Sequence, residues 1–111
     1  MAKMSERLEV VSDETFPQQV EKSTEPFLLE FMTPWCAPCA ALTPVLEAIA
    51  GDHVGRLRIG QLNIADHPAT AERYGVQSTP TMILFRSGEV ARRLIGFKNQ
   101  RNVMESLSGL V

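Results

Sequence analysis

Two cysteines three residues apart constrain this chain more than any other feature. They stand in Trp35-Cys36-Ala37-Pro38-Cys39, and no other cysteine occurs among the 111 residues. The apolar run Phe27-Leu28-Leu29-Glu30-Phe31-Met32 precedes them and reads as a buried strand. Leu42, Val45, Leu46 and Ile49 follow at i, i+3, i+4, i+7, one face of a helix. The two thiols therefore fall where a central strand turns into a helix. Cβ atoms three apart on a helix are about 5–6 Å apart, wider than the roughly 3.5–4.5 Å of a disulfide. A slight tightening of the turn lets the pair close to a disulfide or open to a dithiol. Pro38 is tolerated because N–H groups at a helix start lack partners anyway. Cys36 comes first, where free N–H groups and the positive end of the helix dipole favour a thiolate. Cys39 lies one turn in and is expected to be more buried. This makes Cys36 the attacking nucleophile and Cys39 the resolving thiol.

Length and composition narrow what such a pair is for. The chain fits one domain, residues 1–111, and 44% hydrophobic residues supply a core that needs no covalent staple. A formal charge of −2 with no basic stripe argues against a nucleic-acid partner. No apolar run reaches the roughly 18 residues of a membrane span. The start, Met1-Ala2-Lys3-Met4-Ser5-Glu6-Arg7, lacks the apolar segment of a secretory signal, so the expected location is cytoplasmic. In that compartment a lone cysteine pair points to catalysis or metal binding rather than to structure. A zinc site needs about four ligands. The remaining imidazoles, His53 and His67, do not have the spacing of a second ligand pair, so no metal is expected.

In chain order, Leu8–Val11 reads as a short strand. Ser12 or Asp13 is expected to cap a first helix that turns Phe16 and Val20 inward, with Pro17 in its first turn. After the strand at 27–32, the long helix should run to about Ala50 and stop at Gly51. Pro44 lies inside it, where a missing backbone hydrogen bond predicts a kink. Leu57–Ile64 is a further strand whose apolar phase shifts around Gly60 and Gln61, as in a strand covered on both faces. Asp66 is expected to cap a short helix ended by Gly75. Thr81–Phe85 and Glu89–Ile95 form a hairpin across Ser87-Gly88. Asn99 caps a last helix bearing Val103, Met104, Leu107 and Leu110. The order βαβαβαββα predicts an α/β fold, a mixed sheet of about five strands flanked by four helices.

Taken together, Trp35-Cys36-Ala37-Pro38-Cys39, the in-helix Pro44, Leu62-Asn63-Ile64, Tyr74-Gly75-Val76, Thr79-Pro80-Thr81 and Gly96 resemble the thioredoxin family over nearly the whole chain. The resemblance implies the thioredoxin fold and a protein-disulfide reductase. It implies a cis peptide bond at Pro80 beside Cys36, leaving the Thr79 backbone free to pair with an extended substrate segment. Trp35, Ala37, Pro38, Ile64, Thr79, Ile95 and Gly96 would form the docking surface. No bound cofactor is implied; electrons would come from NADPH through a thioredoxin reductase, and the chain is expected to act as a monomer on disulfide-containing client proteins. The sequence departs from the commonest family pattern at Glu30 (usually Asp), Gln61 (Lys), Met32 (Trp), Ala37 (Gly) and Ala40 (Lys).

The chemistry that follows is thiol–disulfide exchange. The Cys36 thiolate attacks a client disulfide, and Cys39 then displaces the client from the mixed disulfide. A buried Cys39 needs a group to take its proton. Glu30 is the candidate, because its apolar neighbours on the strand should bury it and raise its carboxyl pKa. Two other readings remain open at the level of sequence. One is a more oxidising oxidase or isomerase with the same residues. The other is a thioredoxin-fold binding or chaperone module that holds partners without turnover.

Overall fold

The computed structural model describes residues 7–111. The stretch read above for an export signal lies outside the described residues, apart from Arg7. Five strands form one sheet: β1 (Glu9–Val11), β2 (Phe27–Met32), β3 (Arg58–Asn63), β4 (Thr81–Arg86) and β5 (Glu89–Ile95). Three α-helices accompany them: α1 (Ala37–Asp52), α2 (Pro68–Arg73) and α3 (Gln100–Leu107). The strand order is β1-β3-β2-β4-β5. β3 is parallel to both β1 and β2, whereas β4 is antiparallel to β2 and to β5. This is the mixed sheet and the α/β fold that the sequence predicts. Among the described residues no helix is long and apolar enough to cross a membrane.

Alternation along β2 divides the core, since successive side chains point to opposite faces. Leu28 packs with Leu42, Leu46 and Ile49 of α1 and Val103 and Leu107 of α3. Phe27, Leu29 and Phe31 pack on the other face with Phe16, Val20, Leu62 and Ala71. Glu30 shares the parity of Leu28, so its carboxyl is placed on the α1 side.

Several local expectations are corrected. The first of the four helical segments is not an α-helix but a five-residue π-helical turn, Pro17–Glu21, and neither Ser12 nor Asp13 caps it. Ser12 Oγ instead accepts the Thr15 N–H. Asp13 reaches across the chain and accepts the N–H groups of Ala69 and Thr70 and the Thr70 hydroxyl, at 3.0, 2.9 and 2.6 Å. It therefore caps α2, the role expected of Asp66, which accepts from the Asn63 amide instead. Burial pushes the Asp13 pKa up, but the Thr70 and Ala69 hydrogen bonds and nearby His67 outweigh it and leave it below the usual carboxylate value. α1 does not stop at Gly51; it runs through that residue to Asp52. At the other termini the local signals hold: Asn99 accepts the Asn102 N–H at the start of α3. Ser87 and Gly88, with φ of 52° and 80°, make the hairpin turn, a pairing of positive φ values that suits the twist of two flanking strands.

The broken apolar phase of β3 has a steric cause. A Cβ on Gly60 would lie 2.9 Å from the Glu9 carbonyl oxygen and 2.9 Å from the Phe27 ring. Glycine is there because Phe27 occupies the space a side chain would take. Gly60→Ala is therefore expected to destabilise the fold by about 1–3 kcal/mol, the usual cost of overpacking, read as a lowered denaturant midpoint in equilibrium unfolding.

Candidate active site

Strand direction gathers the candidate residues. β2 and β3 are parallel, so the segments that follow them, bearing Cys36 and Ile64, leave the same end of the sheet. β4 runs the other way and begins at that end, just after Pro80. β5 is antiparallel to β4 and finishes there, at Ile95 and Gly96. Residues up to 60 positions apart thus come to one rim, with no contribution from loop length.

Cys36 is the residue at which extended backbone becomes helical. It is the N-cap of α1, with φ −91° and ψ 107°. Its carbonyl accepts the first helical hydrogen bond, from Ala40 N–H at 3.1 Å. Its sulfur accepts the Cys39 N–H at 3.2 Å. An N–H aimed at Sγ, together with the positive end of the helix dipole, stabilises negative charge on that atom. The two cysteines are joined in a disulfide with their Cα atoms 5.2 Å apart. Their exposure is unequal: Cys36 is half-buried and Cys39 only 2% exposed.

Around the disulfide, Trp35 is 75% and Ile95 60% exposed. Ala37 and Pro38 are exposed as well, and Ile64, Thr79 and Gly96 are half-buried. The Thr79–Pro80 bond is cis. Pro80 is buried, and its carbonyl accepts the Gly96 N–H at 2.8 Å, which ties the rim of β5 to the start of β4. Gly96 has φ +87°, a left-handed conformation that favours glycine. Phe97, exposed and next to Gly96, extends this apolar rim and was not among the residues picked out from sequence. Its only sequence signal is an aromatic residue directly after that glycine.

Glu30 lies beneath this rim and is fully buried. Its Oε1 accepts a hydrogen bond from Gln61 Nε2 at 2.9 Å; the two residues are paired directly across β2 and β3. Among the described residues Oε2 has no hydrogen-bond partner. Burial pushes the carboxyl pKa up, the Gln61 bond pulls it back in part, and the result is about 7. Gln61 Nε2 also approaches Thr43 Oγ1 at 3.4 Å, and the Thr43 hydroxyl donates to the Cys39 carbonyl at 3.3 Å. Sequence reading did not single out Thr43. Its one signal is its position four residues after Cys39, on the same helix face.

The two histidines stay apart from the cysteines. His53 ends α1 with its Nδ1 2.9 Å from the Ile49 carbonyl, and His67 starts α2 with its Nδ1 3.8 Å from Glu14. Among the described residues, no three His, Cys, Asp or Glu side chains form a group that could hold a metal ion.

Comparison with known proteins bears on the whole of this arrangement. The family model named Thioredoxin matches residues 7–108. The chain belongs to the thioredoxin family. It is 42% identical over 87 residues to a thioredoxin of Thiocapsa roseopersicina, covering 78% of this chain and 96% of that protein. It is 45% identical over 91 residues to one from Streptomyces clavuligerus, 82% of this chain and 84% of that protein. With a thioredoxin of Chlamydia caviae it shares 42% identity over 101 residues, 91% and 96% of the two chains. The chain is accordingly a thiol–disulfide oxidoreductase of the protein-disulfide reductase type, and Cys36–Cys39 is its redox disulfide. Like its family it needs no bound cofactor, and it works with a reductase and with disulfide-bearing proteins as a class.

Proposed function

We propose that the chain is a single-domain, monomeric, cytoplasmic electron carrier that takes electrons from NADPH through a thioredoxin reductase and passes them to client proteins. The observation that carries this reading is the unequal burial of the two sulfurs. A half-buried Cys36 at the helix mouth can be reached by a client disulfide, whereas Cys39, 2% exposed, can be reached only from within.

Cys36 attacks the client disulfide. One client sulfur leaves as a thiolate, and the other becomes bonded to Cys36. Cys39 then forms a bond to Cys36 Sγ, the Cys36–client bond breaks, and its electron pair goes to the second client sulfur. The client gains two electrons and the pair loses two. Glu30 takes the Cys39 proton as this happens, since a carboxyl with a pKa of about 7 is populated in both forms near neutrality. Trp35, Ala37, Pro38, Ile64 and Ile95 offer the apolar contact for the client, while Pro80, Thr79 and Gly96 shape a backbone edge for an extended segment.

The test is insulin reduction followed by turbidity, in the presence of NADPH and a thioredoxin reductase. Catalytic NADPH consumption dependent on the chain is expected. Stoichiometric oxidation of the dithiol without turnover would overturn the reading and favour a binding module.

A further inference from the structure

Beside the redox rim lies an open cleft of about 270 Å³, whose lining includes Val10, Val11, Met32, Asn63, Asp66 and His67. It opens at the carboxyl ends of three parallel strands, since Val11, Met32 and Asn63 are the last residues of β1, β2 and β3. The segment bearing Cys36 leaves β2 at that same end. Ile64 joins cleft to rim: its N–H donates to the Met32 carbonyl at 2.9 Å, and it lies in sequence between Asn63 and Asp66. Met32 stands where the family commonly has tryptophan, and the slimmer side chain leaves room that an indole would take. Val10 forms an apolar wall left 86% exposed. The charge here is acidic. Asp66 is exposed, and His67 faces Glu14 at 3.8 Å, so any charge it carries is already met. Among the described residues, no lysine or arginine lines the cleft. The far end of the rim is the opposite. There Lys98 Nζ donates to the Ile95 carbonyl at 2.9 Å, and Arg92, Arg93 and Arg101 are exposed on β5 and α3.

We infer that this cleft is a subsite for a lysine or arginine side chain of the client, selected by Asp66. The inference rests on the proposed function, in which a client segment lies extended across the rim. Lysine and arginine carry a charged head on an apolar stem. Val10, Val11 and Met32 offer the stem an apolar bed, and the Asp66 carboxylate meets the head. That carboxylate is held in place by the Asn63 amide, which donates to its Oδ2 at 3.3 Å. The position of the selected residue follows from the sheet. Neighbouring strands lie about 4.8 Å apart, so a cleft reaching one to two strands beyond β2 lies roughly 5–10 Å from the line of Cys36. An extended client advances about 3.3 Å per residue, which puts the basic residue two or three positions from the attacked cysteine. On the other side of that cysteine the same residue would meet Lys98 and the β5 arginines. The rim therefore reads the client in one direction.

The test uses single-cysteine peptides oxidised to symmetric disulfide dimers, so that either sulfur gives the same product. Each peptide carries lysine, norleucine or glutamate at one position, from four residues before the cysteine to four after it. The second-order rate constant for reduction by the pre-reduced chain is read from acid-quenched samples by chromatography. Lysine should exceed norleucine about three- to fivefold, the scale of one partly exposed ion pair. That preference should appear two or three residues from the cysteine, on one side only, and shrink in about 0.5 M salt. Asp66→Asn should bring the ratio toward one, and Asp66→Lys should invert it in favour of glutamate. A merely structural role for Asp66 does not produce an inversion. Met32→Trp keeps the charges but fills the cleft, and should also lower the ratio; if that variant folds poorly, the two Asp66 variants decide. Lysine and norleucine reduced alike, or lysine favoured alike at every position, would overturn the subsite. So would a preference that survives Asp66→Asn or a folded Met32→Trp. Turnover without preference leaves the reductase reading intact and removes the subsite alone. A parent chain that reduces none of the peptides removes both.

Discussion

Cys36→Ser is expected to abolish insulin reduction, lowering turnover by at least about a thousandfold, the scale of loss when a covalent nucleophile is removed. A serine hydroxyl at the α1 N-cap still accepts the N–H that Cys36 Sγ accepts from Cys39, and serine is among the preferred N-cap residues. Stability should therefore change little beyond loss of the disulfide. Cys39→Ser should behave differently. Attack by Cys36 remains possible, but the intramolecular displacement does not, so a client with one disulfide should accumulate as a mixed disulfide. Mass spectrometry of alkylated reaction mixtures separates the two outcomes. Equal loss in both variants with no trapped adduct would contradict the assignment of attacking and resolving roles, because only the half-buried sulfur can form the first bond.

Glu30→Gln should make the reduced protein more stable, and by an amount that grows with pH. Burial raises the folded-state pKa of this carboxyl from 4.5 to about 7. Between those values the folded chain holds a proton that the unfolded chain has released, so stability falls as pH rises through that window and levels off above it. The shift corresponds to about 3 kcal/mol. Glutamine is nearly isosteric with the neutral acid and keeps an acceptor for Gln61. The variant should thus match the parent near pH 4 and exceed it by up to about 3 kcal/mol at pH 8. Denaturant unfolding at a series of pH values measures the gap. A gap independent of pH would mean that Glu30 titrates with its ordinary value and is not held neutral by the fold. If Glu30 takes the Cys39 proton as proposed, gained stability and slowed resolution should appear in one protein.

The features legible in the sequence are those that depend on near neighbours. Strand–cysteine pair–helix could be read from period and spacing, because whether a residue faces inward on a strand or helix is set within a few positions. Leu28, Leu42, Leu46 and Ile49 lie in one core cluster as that period requires. Asn99 caps α3 because a cap is a contact over three residues. Asp13 shows where such reasoning ends. Its own sequence context suggests a cap for the segment after it, yet it caps a helix 56 and 57 residues away. The side chain goes where the backbone N–H groups are, and the fold brings those of α2 to it.

The site divides in the same manner. Two thiols in a helix's first turn, with the more accessible one ahead of the buried one, are dictated locally and were determined by the sequence alone. The shifted phase at Gly60 and Gln61 was visible but had no meaning along the chain. The parallel register of β2 with β3 supplies it, pairing Gly60 with Leu29 under the reach of the Phe27 ring and Gln61 with Glu30. Whether Glu30 is ionised at neutral pH is likewise a tertiary decision. It depends on how completely two sheet neighbours and a helix exclude water from one carboxyl, and no interval in a linear sequence encodes that distance.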